Sequence, residues 1–153
     1  VLEVGCGYPQ VTEELRKKGF DAYALDIFKK VLKKAKKKYP KLKNKIFHAD
    51  FLDEKILMKI KPDIYIMSDV SWYVLPRIKK FIKKIKKIKK NSFFLHFLTM
   101  YDKKEQKFGK NYFHDSKGVK KFFNLKYIYS GDLEFKKKKE KKRKEKFHFL
   151  WQN

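Results

Sequence analysis

Short apolar runs alternate along this chain with stretches whose apolar residues recur every three or four positions. The runs are residues 1–4, 22–25, 46–49, 63–67 and 93–98. Between them, Val11 and Leu15 lie four apart in residues 9–18, with Pro9 in the first turn and Gly19 placed to cap the end. Phe28, Val31, Leu32, Ala35 and Tyr39 fall on one helical face, with lysine on the other, and Pro40 ends the pattern. A short helix over 52–60 turns Ile56, Leu57 and Ile60 inward. A long one starting at Leu75 does the same with Ile78, Phe81, Ile82, Ile85 and Ile88. Strands that alternate with helices demand right-handed crossovers, hence an α/β fold with a mostly parallel sheet and helices on both faces.

The pattern loosens after Thr99. Residues 101–113 read as a loop or broken helix over the strand ends, and Asp115 or Ser116 caps a helix through Phe122 and Phe123. Strands are expected over 125–130 and 147–151, joined by the charge run 136–146 as a mobile hairpin loop. The expected sheet therefore has seven strands with the last antiparallel, in one domain over residues 1–153.

In an open parallel sheet, ligands sit beyond the carboxyl ends of the strands. Here those ends carry Gly5-Cys6-Gly7 after the first run, Asp26 after the second and Asp50-Phe51 after the third. Glycines let backbone N–H groups approach a ligand closely. A dinucleotide turn would need a third glycine where Gln10 stands. Glu3, inside the first strand, would also repel a pyrophosphate and attract a cation. A carboxylate in a buried strand is costly unless it is paired.

The arrangement Glu3-x-Gly5-x-Gly7, then Asp26, then Asp50-Phe51 resembles the class I S-adenosylmethionine-dependent methyltransferases, over nearly the whole chain. The resemblance implies a Rossmann-like methyltransferase fold and S-adenosylmethionine as cofactor. It implies that Glu3 steers the methionine ammonium and that Gly5, Cys6 and Gly7 wrap the methionine and ribose. Asp26, with Ile27 beside it, would receive the ribose hydroxyls. Asp50 and Phe51 would take the adenine, and Ser68 would lie beside the methionine part. Tyr8-Pro9 departs from the family, which often has a small residue at the proline. The family also usually has a preceding helix that closes over the cofactor. A missing N-terminal segment and weak or open-pocket binding by this chain are therefore expected.

For the acceptor, Asp69 and His114 are the candidate bases, and Trp72, Tyr73, Tyr101 and Tyr112 the candidate substrate contacts. The amino-methylating Asn-Pro-Pro-Tyr signature is absent; Ser68-Asp69-Val70-Ser71 stands there. His48 and His96, within strands, read as core or rim histidines. No Cys/His cluster has metal spacing. A small molecule is the expected acceptor, with RNA and a non-catalytic binding module as the alternatives.

Composition bears on the partner. The formal net charge is +25, from 42 Lys and Arg against 17 Asp and Glu, which suggests a nucleic-acid surface. Yet arginine, the usual bidentate phosphate clamp, occurs only at positions 16, 77 and 143. That bias favours solvated lysine faces. No apolar run approaches the ~20 residues of a membrane span. The lone Cys6 excludes an internal disulfide and fits a reducing cytoplasm.

Overall fold

The computed structural model describes residues 1–100, 104, 106–135 and 143–151. Its strands are β1 (Leu2–Val4), β2 (Tyr23–Asp26), β3 (Ile46–His48), β4 (Ile64–Ser68), β5 (Phe93–Met100), β6 (Lys126–Phe135) and β7 (Arg143–Trp151). The helices are α1 (Gln10–Lys17), α2 (Lys29–Lys38), α3 (Glu54–Ile60), α4 (Ser71–Ile88) and α5 (Ser116–Phe123). The strands lie in the order β3-β2-β1-β4-β5-β7-β6. β1 to β5 are mutually parallel, and β7 runs antiparallel to both β5 and β6. This is an α/β Rossmann-like fold. The chain works outward from β1 to β3, then returns to place β4 on the other side of β1. The carboxyl end of β1 is thus the topological switch point, where a crevice opens.

Alternation within β1 sorts its side chains to opposite faces. Leu2 and Val4 join Leu25, Tyr65, Met67 and Phe94 under α3, α4 and α5. At the centre of that layer Phe81 of α4 meets the rings of Phe51, Tyr65 and Phe94 at centroid distances of 5.5, 5.7 and 6.3 Å. The other face is thinner, with Ala24, Leu32, Ala35, Leu42 and Ile46 packed together beside α2.

Several boundaries differ from expectation. α4 begins at Ser71, four residues before Leu75, and holds Pro76 in its interior. A proline there removes one backbone hydrogen bond, so it ordinarily marks a helix start; burial of Leu75, Ile78, Phe81, Ile82 and Ile85 outweighs that loss. α3 starts at Glu54 rather than at residue 52, because the Asp53 carboxylate accepts from the Lys55 and Ile56 N–H groups and sets the cap. Phe28 is not on the inward face of α2: it is the N-cap residue and 67% exposed. β6 runs on to Phe135 and β7 starts at Arg143, so part of the expected 136–146 loop is strand.

Candidate active site

A cleft of about 250 Å³ opens at the switch point. Val4, Leu25 and Met67, in register on three adjacent strands, form its floor. Gly5, Asp26, Ile27, Asp50 and Phe51 line it from the first three strand ends, as the sequence implied. Val70, Tyr73, Val74 and Arg77, recurring at i, i+3, i+4 and i+7, close it from the start of α4.

The turn after β1 is held by its backbone. The N–H groups of Gly5 and Cys6 both donate to the Leu25 carbonyl, at 2.9 and 3.0 Å. Gly5 adopts φ +70°, and a Cβ built on it would stand 2.5 Å from Cγ2 of Val70. A hydrogen there brings α4 against the turn. Asp26, buried to 6% exposure, ties this turn to the next one. Its Oδ2 accepts from the Gly7 N–H and its Oδ1 from the Phe28 N–H, both at 2.8 Å. Each oxygen keeps a further lone pair for a ligand hydroxyl.

Asp50 is engaged more heavily than its sequence position suggested. Its two oxygens take the two terminal nitrogens of Arg77 at 2.9 Å each, and Oδ1 also accepts from the Leu52 N–H at 2.8 Å. The guanidinium carbon lies 5.1 Å from the centre of the Phe51 ring. Burial pushes the Asp50 carboxyl upward, but Arg77 and the Leu52 N–H outweigh it and hold the group below the usual carboxylate value. Sequence reasoning missed Arg77. The available signal was one arginine in a helix otherwise supplied with lysine, since a bidentate fork is what lysine cannot provide.

Glu3 lies on the other side of the sheet from the cleft floor, does not line the cleft and has a partner of its own. Its Oε2 accepts from the N–H and the hydroxyl of Thr12, at 2.9 and 2.5 Å, in the first turn of α1. Burial raises its pKa, Thr12 pulls it back and the charge of Asp26 raises it further; the net shift is upward. The native state therefore holds this proton more tightly than the unfolded chain. The stability it contributes is full below the ordinary value of 4.5 and is lost as pH rises through the raised value. Glu3→Gln, which still offers Thr12 an acceptor, is expected to flatten that fall and to melt higher than the native chain at pH 7. Melting curves from pH 5 to 8 check this; a variant less stable across the whole range overturns it.

Cys6 is buried, and its thiol is pushed well up by burial and by Glu3 and Asp26, so it stays protonated and unreactive at neutral pH. Cys6, Gly7 and Ser68 stand near the cleft in sequence but do not line it. Of the acceptor-side candidates, Tyr73 lines the rim and is 79% exposed. Trp72 is turned away; its Nε1–H donates to the Thr99 carbonyl at 3.1 Å and its ring packs on Phe113 at 5.3 Å. Asp69 sits in the left-handed region at φ 51° and its Oδ1 accepts from the Thr99 N–H at 2.6 Å, locking β4 to β5. Tyr112 is half-exposed and sets its ring edge-on to Phe122. His114 pairs through Nδ1 with Oε1 of Gln106 at 3.0 Å. Gln106, 1% exposed, also donates from Nε2 to the carbonyls of Phe108 and Phe113. Tyr101 lies outside the described residues. His96 is fully buried, with Nε2 2.6 Å from the Ser71 hydroxyl, whereas His48 is an exposed rim residue bonded to the Ile27 carbonyl.

Residues 2–96 match the family model described as a methyltransferase domain, which spans more than half of the chain. The chain belongs to the class I S-adenosylmethionine-dependent methyltransferases. Solved structures agree on the fold. TehB from Haemophilus influenzae superposes with a TM-score of 0.69 at 14% identity, over 99% of this chain and 57% of that one. Magnesium protoporphyrin IX methyltransferase from Synechocystis PCC 6803, with bound S-adenosylhomocysteine, gives 0.72 at 13% identity, over 99% and 73%. An S-adenosylmethionine-dependent methyltransferase from Clostridium acetobutylicum ATCC 824 gives 0.68 at 17%, over 97% and 82%. This methyltransferase chain thus spans little more than half the length of TehB. No curated protein sequence matches it.

The cleft of this methyltransferase suits the family's cofactor. Its charged lining is two carboxylates at neighbouring strand ends and Arg77, whose charge is taken up by Asp50; the balance left at Asp26 is negative, which disfavours a phosphate-bearing ligand, and the remaining surface is largely apolar. A glycine without room for a Cβ brings backbone to the rim. At about 250 Å³ it lies just below the roughly 300–1,000 Å³ usual for ligand pockets, and the exposed Phe28 and Tyr73 are among the residues that line it. Among the described residues, no helix is long and apolar enough to cross a membrane, and no group of His, Cys, Asp and Glu could hold a metal ion.

Proposed function

We propose that this domain transfers the methyl group of S-adenosylmethionine to a small-molecule acceptor presented at the Tyr73 side of the cleft. The observation that carries the reading is the shared cleft at the switch point. Asp26 and Asp50 face it together from adjacent strands, with Gly5 between them and α4. Asp26 would hold ribose hydroxyls, Asp50 and the Phe51 backbone the adenine, and Arg77 would keep Asp50 ionised and oriented. Glu3 would act on the methionine end through Thr12 and the first turn of α1, since it does not reach the cleft itself. Bound there, S-adenosylmethionine supplies a methyl group on a sulfonium, open to in-line displacement. The chain's contribution is then to position and desolvate an acceptor against it.

Asp69 and His114 are the bases we propose where the acceptor must lose a proton, with Tyr73 and Tyr112 as acceptor contacts. Asp69 immediately precedes Val70 in the cleft wall, which supports the first. The buried lone thiol supports a reducing compartment such as the cytoplasm.

Calorimetry with S-adenosylhomocysteine, then with NAD, tests the cofactor reading. Binding of the first with a dissociation constant in the tens of micromolar and none of the second is the expected result. Absence of any heat or thermal shift at millimolar S-adenosylhomocysteine overturns it. A labelled-methyl assay against separated metabolite, RNA and protein fractions then names the acceptor class. Label is expected in the metabolite fraction, and label confined to RNA or protein overturns the small-molecule reading.

A further inference from the structure

A second cleft, of about 510 Å³, runs between α4 and α5 and is lined by lysine. Lys79, Ile82, Lys83 and Lys86 contribute from α4 at i, i+3, i+4 and i+7, and Lys121 comes from α5. The α4 stripe is displaced nine residues from Val70, Tyr73, Val74 and Arg77. At about 100° per residue, nine residues bring it to the opposite flank of the helix. The active-site cleft and the lysine cleft therefore lie on the two sides of α4, with the core stripe between them.

The two flanks differ in chemistry as well as position. On the active-site flank two basic residues have acids to meet: Arg77 pairs with Asp50, and Lys84 reaches Glu54 of α3 at 2.8 Å. In the lysine cleft no carboxylate lines the wall, and none of its four lysines forms an ion pair among the described residues. Like charges converging in a concavity repel one another and focus a positive potential in it, which an anion relieves. The wall also holds Phe122, half-buried, with the Lys79 ammonium 5.0 Å from its ring centre, and Asn124, exposed at the end of α5. Lysines supply charge for phosphates, the ring a stacking surface and the amide a donor and acceptor for a base edge. A duplex would offer only its phosphates to such a groove, whereas a single strand uses all three features.

We propose that the α4–α5 cleft is a docking site for single-stranded nucleic acid. It anchors the protein away from the reacting centre, and it stands independently of the acceptor assigned above. Because the whole chain is basic, the test must separate a site from bulk charge. The probe is a fluorescent twelve-nucleotide single-stranded uridylate, read by anisotropy across a salt series. One variant carries Lys79→Gln, Lys83→Gln, Lys86→Gln and Lys121→Gln. The control removes the same charge from the exposed side of α2, with Lys30→Gln, Lys33→Gln, Lys34→Gln and Lys37→Gln.

The cleft variant is expected to bind ~10-fold or more weakly at 150 mM salt. The slope of log affinity against log salt should fall by about 2 to 3, while the control changes little. Phe122→Leu, checked for an unchanged melting temperature, is expected to weaken binding severalfold with the salt slope preserved. S-adenosylhomocysteine affinity should be the same in the cleft variant as in the parent. Equal losses in cleft and control variants overturn the proposal, as does equally tight binding of a polyglutamate of matched charge.

Discussion

Gly5→Ala is expected to be among the most damaging single substitutions in the chain, and Gly7→Ala to be far milder. Both glycines have positive φ, +70° and +50°, so each alanine incurs about 1–2 kcal/mol for the left-handed conformation. Only the first collides. Its Cβ would lie 2.5 Å from Cγ2 of Val70, whereas nothing lies within 4 Å of the Cβ position at Gly7. Overpacking of that kind adds about 1–3 kcal/mol. At ~2–4 °C per kcal/mol for a chain of this size, Gly5→Ala should melt about 5–15 °C lower and Gly7→Ala about 2–8 °C lower. Val70 belongs to the cleft wall, so its displacement should also weaken S-adenosylhomocysteine binding by at least ~10-fold, equivalent to about 1.4 kcal/mol. Calorimetry and melting curves on the pair decide the matter. Equal penalties at the two positions would show that the approach of α4 to the turn is immaterial.

Asp26→Ala is the second large effect. One carboxylate holds the Gly7 and Phe28 N–H groups at 2.8 Å, and so clasps the turn after β1 to the turn after β2. Removing it orphans two part-buried donors, each costing about 1–3 kcal/mol less whatever water restores. A loss of ~2–4 kcal/mol is expected, together with a ~100-fold or greater loss of S-adenosylhomocysteine affinity, because the ribose contact and the turn geometry go at once. Asp26→Asn keeps one acceptor but turns an NH₂ group toward the other donor. It should recover part of the stability and little of the binding. A variant that keeps full affinity would remove Asp26 from the cofactor site.

Much of this was legible in the chain beforehand, and particular residues show why. The order of strands and helices follows from apolar spacing, which reports burial directly. Gly5, Asp26, Ile27, Asp50 and Phe51 were expected at one crevice because strand ends in a parallel sheet share an edge, and they do share it. What escaped depends on partners distant in sequence. Thr12 satisfies Glu3 from nine residues away, and Arg77 grips Asp50 from twenty-seven. No local pattern announces either pairing. The first turn of α4, Ser71 to Val74, also escaped, since Pro76 stands inside the helix and is held there by the burial of five side chains rather than by any local preference.

Gln106 has a consequence for chemistry at a distance. Its amide nitrogen serves two carbonyls, which leaves only the oxygen to meet His114. The imidazole must therefore carry its hydrogen on Nδ1, and in the neutral ring Nε2 is the bare nitrogen. A single buried glutamine thus selects the tautomer and decides which edge of that ring can accept a proton.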